Sequence, residues 1–328
     1  MRVMVTGAAG FLGRQLVQRL LAEGQLRGRR IEALILLDQR LDGFPDDRRL
    51  RHLSGSITDP ALLRRGLADG VDVVFHLVSI AGGAAEENYG LGRQVNLLAS
   101  LQLLDLLRNA QQPPVLVYAS SVAVYGGDLP ARMDEHYRPR PALSYGAHKL
   151  MIENHLNDLG RRGEVDGRAL RLPGIVARPG DGNGLRSAFM SVLLQRFASG
   201  EPYVCPVSAD ATSWWMSASC CVDNLLHAAG FDLAADAPSR VWQLPVLHLS
   251  IGDVVDALAE VFGEERRSLV SFQPDAALEA LFGRFPALRT PLARERGFRH
   301  DGTARALVRH ALDLTQRPRV PRVDAATA

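Results

Sequence analysis

A doubly wound α/β fold, a parallel sheet with helices on both faces followed by a smaller C-terminal domain, is what this 328-residue sequence predicts. Three observations carry that reading. Short β-branched runs alternate with helically spaced apolar residues through the first half of the chain, as βαβ units require. The stretch MVTGAAGFLG, residues 4–13, stands between the first such run and the first helical pattern. Beyond residue 173 the alternation weakens into Gly- and Pro-rich loops, RPGDGNG among them, and helix-like patches.

The strands are expected at 2–6 (RVMVT), 31–38 (IEALILLD), 50–55 (LRHLSG), 72–78 (DVVFHLV), 114–120 (PVLVYAS) and 168–172 (RALRL). After the first of them, Phe11, Leu12, Leu16, Leu20 and Leu21 share one helical face. QVNLLASLQLLDLLRNA repeats that spacing until Pro113 and Pro114 break it. Helix-like patches follow at 187–199, 219–232, 250–262 and 302–314. The domain reading is therefore residues 1–172 for the doubly wound unit with 218–245 returning to it, and 173–217 with 246–316 for the second region. The closing segment lacks apolar periodicity, and 317–328 is expected to be a disordered tail. No internal repeat is visible.

Composition removes several function classes. At 47% apolar residues the chain can bury a large core. The 38 basic and 36 acidic residues are spread along it, so no basic face for nucleic acid is expected. No apolar run is long enough for a membrane span, and the glycine motif begins at Gly7 with no room for a leader, so the expected location is cytoplasmic. Cys205, Cys220 and Cys221 form no metal-ligand spacing and read as reduced core residues; no metal is expected.

The glycine spacing has a physical reading. After a strand, Gly7 permits a tight turn, Gly10 lets the backbone approach a pyrophosphate, and Gly13 lets the helix pack on the strand, so that free amides of the helix N-terminus point at phosphate. Asp38 closes the second strand, where a carboxylate accepts from both ribose hydroxyls and repels a 2′-phosphate. NAD is the expected cofactor, with Arg40 nearby leaving NADP open.

A second constellation is SYGAHK, in which Tyr145 and Lys149 stand four apart on a helical segment and face the same way. A phenol of pKa ~10 is a poor base at neutral pH, and lowering it by about three units takes about 4 kcal/mol of differential stabilisation. A neighbouring ammonium and a cationic nicotinamide act in that direction. Ser120 and Ser121 end the fifth strand, at the carboxyl edge where ligands of such sheets bind. His148 falls between the two on the helix and is expected to be exposed; His76 reads as a packing residue beside the site.

TGAAGFLG, Asp38, FHLV, Asn96, SSVAVYG and Tyr145-x-x-x-Lys149, in this order over residues 1–260, resemble the extended short-chain dehydrogenase/reductases, the NAD-dependent epimerase/dehydratase family with its Rossmann fold. The resemblance makes Tyr145 the general acid/base, Lys149 the holder of the nicotinamide ribose, and Ser121 the group that positions the reacting hydroxyl, supported by Ser120. It places Phe11, Leu12, Ser56, Ile57, Leu77, Val78, Ser79, Pro173 and Ile175 along the cofactor. Asn96 is set there too, or alternatively as a helix-packing amide. Relatives usually have Asp where this chain has Ser56, which weakens the expected adenine contact. A homodimer through helices flanking the site is common in the family.

The family spans epimerases, dehydratases and dehydrogenases, so the second region must decide among them. Nucleotide-sugar epimerases typically carry Arg-x-x-Asn after the sixth strand and an Arg-Asp pair that grips the diphosphate. Here the first reads Arg171-Leu172-Pro173-Gly174, and Ser213-Trp214 stand in place of the second. RLPGIVARPG, CPVSADATSWWMS and the stretch at 224–227 resemble instead the branch that oxidises the C2 hydroxyl of a small sugar acid, D-erythronate. Arg178 is the candidate for its carboxylate, with a surface arginine as the alternative, and Trp214 and Trp215 are candidates to close the pocket, with core packing the alternative for one of them. The rival functions are a 4-epimerase that retains NAD and a non-catalytic NAD-binding sensor.

Overall fold

The computed structural model describes residues 1–110, 112–180, 186–234 and 237–314. The strands that build the site are β1 (Arg2–Thr6), β2 (Ala33–Asp38), β3 (Leu50–Ser54), β4 (Val73–His76), β5 (Val115–Ser121), β6 (Asp166–Leu172), β7 (Gly174–Val176), β8 (Thr212–Ser217), β9 (Val241–Gln243) and β10 (Leu247–Ser250). The α-helices of eight or more residues are α1 (Phe11–Glu23), α2 (Pro60–Leu67), α3 (Ala99–Leu107), α4 (Ser144–Arg161), α5 (Phe189–Ser199), α6 (Ala218–Gly230), α7 (Ile251–Phe262) and α8 (Ala304–Ala311).

Seven strands form one sheet in the order β9-β6-β5-β4-β1-β2-β3, every pair parallel. The order reverses between β1 and β4, and a crevice opens where the loops at their carboxyl ends part. Side chains alternate across the sheet: Val3, Val5, Leu34 and Leu36 pack with Leu16 and Leu20 of α1 and Leu225 of α6. Met4, Ile35 and Leu37 pack on the other face with Leu62 of α2, Leu103 of α3 and Ile152 and Leu156 of α4. Burial of both faces explains why these strands read as continuous apolar runs rather than alternating ones.

In the second half, β7, β8 and β10 make a three-stranded sheet, β7 parallel and β10 antiparallel to β8. A further core joins α5, α7 and α8 through Phe197, Leu258 and Leu307. The strands β7 to β10 are three to six residues long, too short to show a period, and the sequence gives no signal for them. The end of the RPGDGNG loop and the segment 317–328 lie outside the described residues.

Two sequence expectations are corrected by packing. Trp214 and Trp215, being successive on β8, face opposite ways, and both faces are covered. Trp214 Nε1 donates to the Pro286 carbonyl at 2.7 Å and Trp215 Nε1 to that of Leu249 at 3.1 Å. Both indoles are core, and neither closes a pocket. His148 is buried rather than exposed, its ring 6.0 Å from that of Tyr89, because the short helices Gly82–Glu87 and Tyr89–Arg93 cover that side of α4.

Candidate active site and cofactor cleft

The glycine loop shows why its residues have no side chains. Gly7 has φ +73°, and a Cβ there would lie 2.7 Å from the Val78 amide nitrogen; a Cβ at Gly13 would lie 2.1 Å from the Gly7 oxygen. Gly10 caps α1 and is exposed, and Arg14 N donates to its carbonyl. The amides of Phe11, Leu12 and Gly13 therefore stand without helical acceptors at the positive end of a thirteen-residue helix with no acid in its first turn. Asp38, at the end of β2, accepts from the backbone N–H of Ala9 at 2.9 Å and of Gln39 at 2.7 Å. This cradle fits a dinucleotide.

From Asp38 a cleft of about 830 Å³ passes the glycine loop and ends at Ser121, Tyr145 and Arg178. It brings together the residues that the sequence marked for cofactor or substrate, except Asn96, Lys149 and the two tryptophans. Ser56 lines it too, with its hydroxyl 2.8 Å from that of Thr58. Asn96 is buried, and its amide is spent on one backbone unit: Oδ1 accepts from Ile80 N at 2.7 Å and Nδ2 donates to Ile80 O at 3.0 Å. It anchors the segment that carries Leu77, Val78 and Ser79 rather than touching the cleft. Lys149 is also buried, and its Nζ donates to the Ala119 carbonyl at 2.7 Å. It lies 5.5 Å from the Tyr145 ring centroid and 4.7 Å from that of Tyr118. Lys149 is the sole lysine of the chain; every other basic side chain among the 38 is arginine.

Tyr145 stands in the first turn of α4, and Ser121 caps the short turn after β5 by accepting from Ala123 N at 3.1 Å. Burial pushes the Tyr145 phenol above its ordinary value, while the neighbouring Ser79 and Ser121 hydroxyls and the charge of Arg178 pull the other way. Ser79, which the sequence placed only along the cofactor, is thus also a neighbour of Tyr145. Burial pulls Lys149 down to about 7, against the opposing charge of Glu153.

Two buried polar networks hold this geometry. Ser100 Oγ donates to the Asn96 carbonyl at 3.0 Å, so it accepts from His76 Nε2 at 2.9 Å, and His76 Nδ1 accepts from Thr6 Oγ1 at 2.7 Å. His76 is a neutral tie between the ends of β1 and β4, its pKa lowered to about 3 by burial and by the Lys149 charge. In the second network Glu153 accepts from Ser120 Oγ at 2.5 Å and from Arg171 Nη2 at 2.7 Å, and Arg171 Nη1 donates to the Tyr125 hydroxyl at 2.9 Å. Sequence reasoning missed this pairing. Its signal was a carboxylate one turn beyond Lys149 on the same helical face, and an arginine inside an apolar strand.

This loop, crevice and Tyr/Lys helix coincide with a family match. The NAD dependent epimerase/dehydratase family covers residues 3–229. The chain belongs to that family. Its cofactor is NAD. Over 94% of its length it is 37% identical to the D-erythronate dehydrogenase of Cupriavidus necator, covering 97% of that protein. A D-erythronate dehydrogenase of Haemophilus influenzae is 30% identical over 95% of this chain and 99% of its own. Among solved structures, the nucleoside-diphosphate-sugar epimerase of Agrobacterium tumefaciens superposes with a TM-score of 0.89 at 30% identity, over 95% of this chain and 94% of that one.

Among the described residues no cluster of His, Cys, Asp or Glu is arranged to hold a metal ion, and no helix is long and apolar enough to cross a membrane. The three cysteines are buried and free.

Proposed function

We propose that the protein is an NAD-dependent dehydrogenase that oxidises the C2 hydroxyl of D-erythronate, or of a closely related small sugar acid, to the 2-dehydro acid. The observation that carries this over the epimerase reading is the packing around Gly174. A Cβ there would meet Met190 Cε at 2.7 Å and the Trp214 carbonyl at 2.9 Å, so the asparagine of a sugar-nucleotide site has no room. Ser213 and Trp214, at the positions of the Arg-Asp pair, are buried in the core. The anchors for a diphosphate are replaced by packing.

A small acid needs less. Arg178 is partly buried at the substrate end of the cleft, its guanidinium 5.3 Å from the Phe11 ring centroid and its backbone N–H donated to Ser191 Oγ at 3.0 Å. That burial depresses its pKa, so it gains from a carboxylate partner, and it stands close enough to Tyr145 for the two to interact electrostatically. Tyr145 takes the proton of the C2 hydroxyl, Ser121 and Ser79 orient that hydroxyl, and Lys149 supplies positive charge behind the phenol. NAD, when bound, supplies the hydride acceptor. In this reading Asp38 receives the adenosine ribose hydroxyls and the α1 amides the pyrophosphate.

The assay is a screen of D-erythronate and other four- to six-carbon sugar acids against UDP-glucose and UDP-galactose, followed by NADH absorbance. Stoichiometric NADH from the acid is expected. Interconversion of the UDP-hexoses without NADH release would overturn the dehydrogenase reading in favour of an epimerase, and inertness toward all of them would favour the NAD-binding sensor. A homodimer is also part of this reading: Tyr89, Leu91 and Met151 are exposed apolar side chains on adjoining helices beside the site. Sedimentation of a monomer at micromolar concentration would remove it.

A further inference from the structure

We propose that Glu153 is a positioning residue of the reaction, clamping α4 onto β5 in the register the site needs and providing the counter-charge that keeps Lys149 cationic. The inference rests on the reading of Tyr145 and Lys149 as the working pair. Three successive residues of β5 meet three successive turns of α4. Ser121 faces Tyr145, the Ala119 carbonyl accepts from Lys149 Nζ at 2.7 Å, and Ser120 Oγ donates to Glu153 at 2.5 Å. A slip of one turn would break all three contacts together.

The carboxylate is 1% exposed and fully engaged. Arg171 of β6 approaches it with Nε at 3.0 Å from one oxygen and Nη2 at 2.7 Å from the other, and is itself tied to Tyr125. A buried carboxylate removed from its partner leaves an unpaired charge behind, so such a pair resists rearrangement. Around Lys149 the facing groups are Tyr145 and Glu153 of α4, Tyr118 of β5 and the neutral His76 of β4. Among these Glu153 is the anion. Burial alone drives the ammonium toward its neutral form, and a neutral amine would lend the phenolate of Tyr145 no electrostatic support.

Because Lys149 is the sole lysine, protein grown on ¹³Cε-lysine gives one side-chain resonance, and its titration can be followed without substrate. Glu153→Gln keeps the shape and removes the charge; the Lys149 midpoint should fall by a unit or more, a tenfold loss of proton affinity. Glu153→Asp, which keeps the charge, should hold the midpoint near the wild-type position. Arg171→Gln frees the carboxylate from its other partner and should raise the midpoint, and it decides the matter if Glu153→Gln does not fold. Loosened packing alone would hydrate Lys149 and raise its midpoint in Glu153→Gln, so the fall separates a counter-charge from a scaffolding role. An unchanged midpoint in folded Glu153→Gln, or in Arg171→Gln, overturns the proposal. A wrong substrate would show separately, as no NADH from the acid while the lysine titration still shifts.

Discussion

At the scale of single residues the site is a set of groups whose environments oppose their free chemistry. Burial raises the Tyr145 phenol even with Ser79, Ser121 and Arg178 beside it, so the proposed base relies on the bound cofactor to become effective. Tyr145→Phe should lower kcat by about 10²–10⁴-fold and leave NAD affinity nearly intact, since its hydroxyl is the only group lost. Wild-type turnover in that variant would end the mechanism; calorimetric NAD titration supplies the binding half of the measurement. Arg178→Ala should cost about 2–3 kcal/mol in kcat/KM for the acid, the range of a charge-assisted hydrogen bond. An unchanged kcat/KM would place the carboxylate elsewhere. His76 gives a pH prediction. Its folded pKa, about 3, lies below the ordinary imidazole value of 6.5, so the unfolded chain binds the extra proton first. The stabilisation is complete above the ordinary value and is lost as pH falls toward the folded one. His76→Asn should therefore show a smaller drop in Tm than wild type between about pH 7 and about pH 5. Equal drops would mean that His76 does not carry the dependence.

At the scale of elements, α1 and α4 do most of the positioning. The first presents open amides because a glycine caps it and no side chain fills the space above. Gly10→Val leaves α1 intact, since a Cβ at this exposed position meets only the Gly7 oxygen at 3.1 Å, but it projects into the cleft. A folded Gly10→Val protein should bind NAD at least about tenfold more weakly, a loss of about 1.4 kcal/mol; unchanged affinity would move the pyrophosphate away from this turn. The pattern of α4 was readable as a Tyr-x-x-x-Lys face, but what that face met was not. The spacing gives direction around a helix axis, whereas contact depends on which strand lies opposite and at what register. Hence Lys149 was legible as a candidate on that face while its bond to the Ala119 carbonyl was not. His148 was misjudged for the same reason, because the helices that cover it are too short to announce themselves.

At the scale of the whole molecule, the strand order β9-β6-β5-β4-β1-β2-β3 sets the crevice where the order reverses, and the buried His76 tie keeps its two lips together. Residues beyond 217 return to complete this sheet: β9 pairs with β6, and α6 packs on the same core as α1. Arg168, fully buried in β6, donates to the Ala228 and Phe231 carbonyls at the end of α6 and so fastens that returning helix to the sheet.

The nucleotide-binding half was legible in the chain, because strands buried on both faces, a helix face and a glycine turn are local patterns, and each leaves its period or its punctuation there. The candidates Tyr145, Lys149 and Ser121, and the departures at Gly174 and Ser213-Trp214, were legible too, since these are identities at fixed spacings. What those identities touch came from packing alone. Glu153 and Arg171 are 18 residues apart, and Ser120 and Glu153 are 33, so their pairing depends on a helix folding back over a sheet. The sealing of Gly174 by Met190 and Trp214, and the burial of both tryptophans, likewise follow from how β7, β8 and α5 pack together. Such contacts join residues distant in the chain, where no short-range spacing records which neighbour burial will supply.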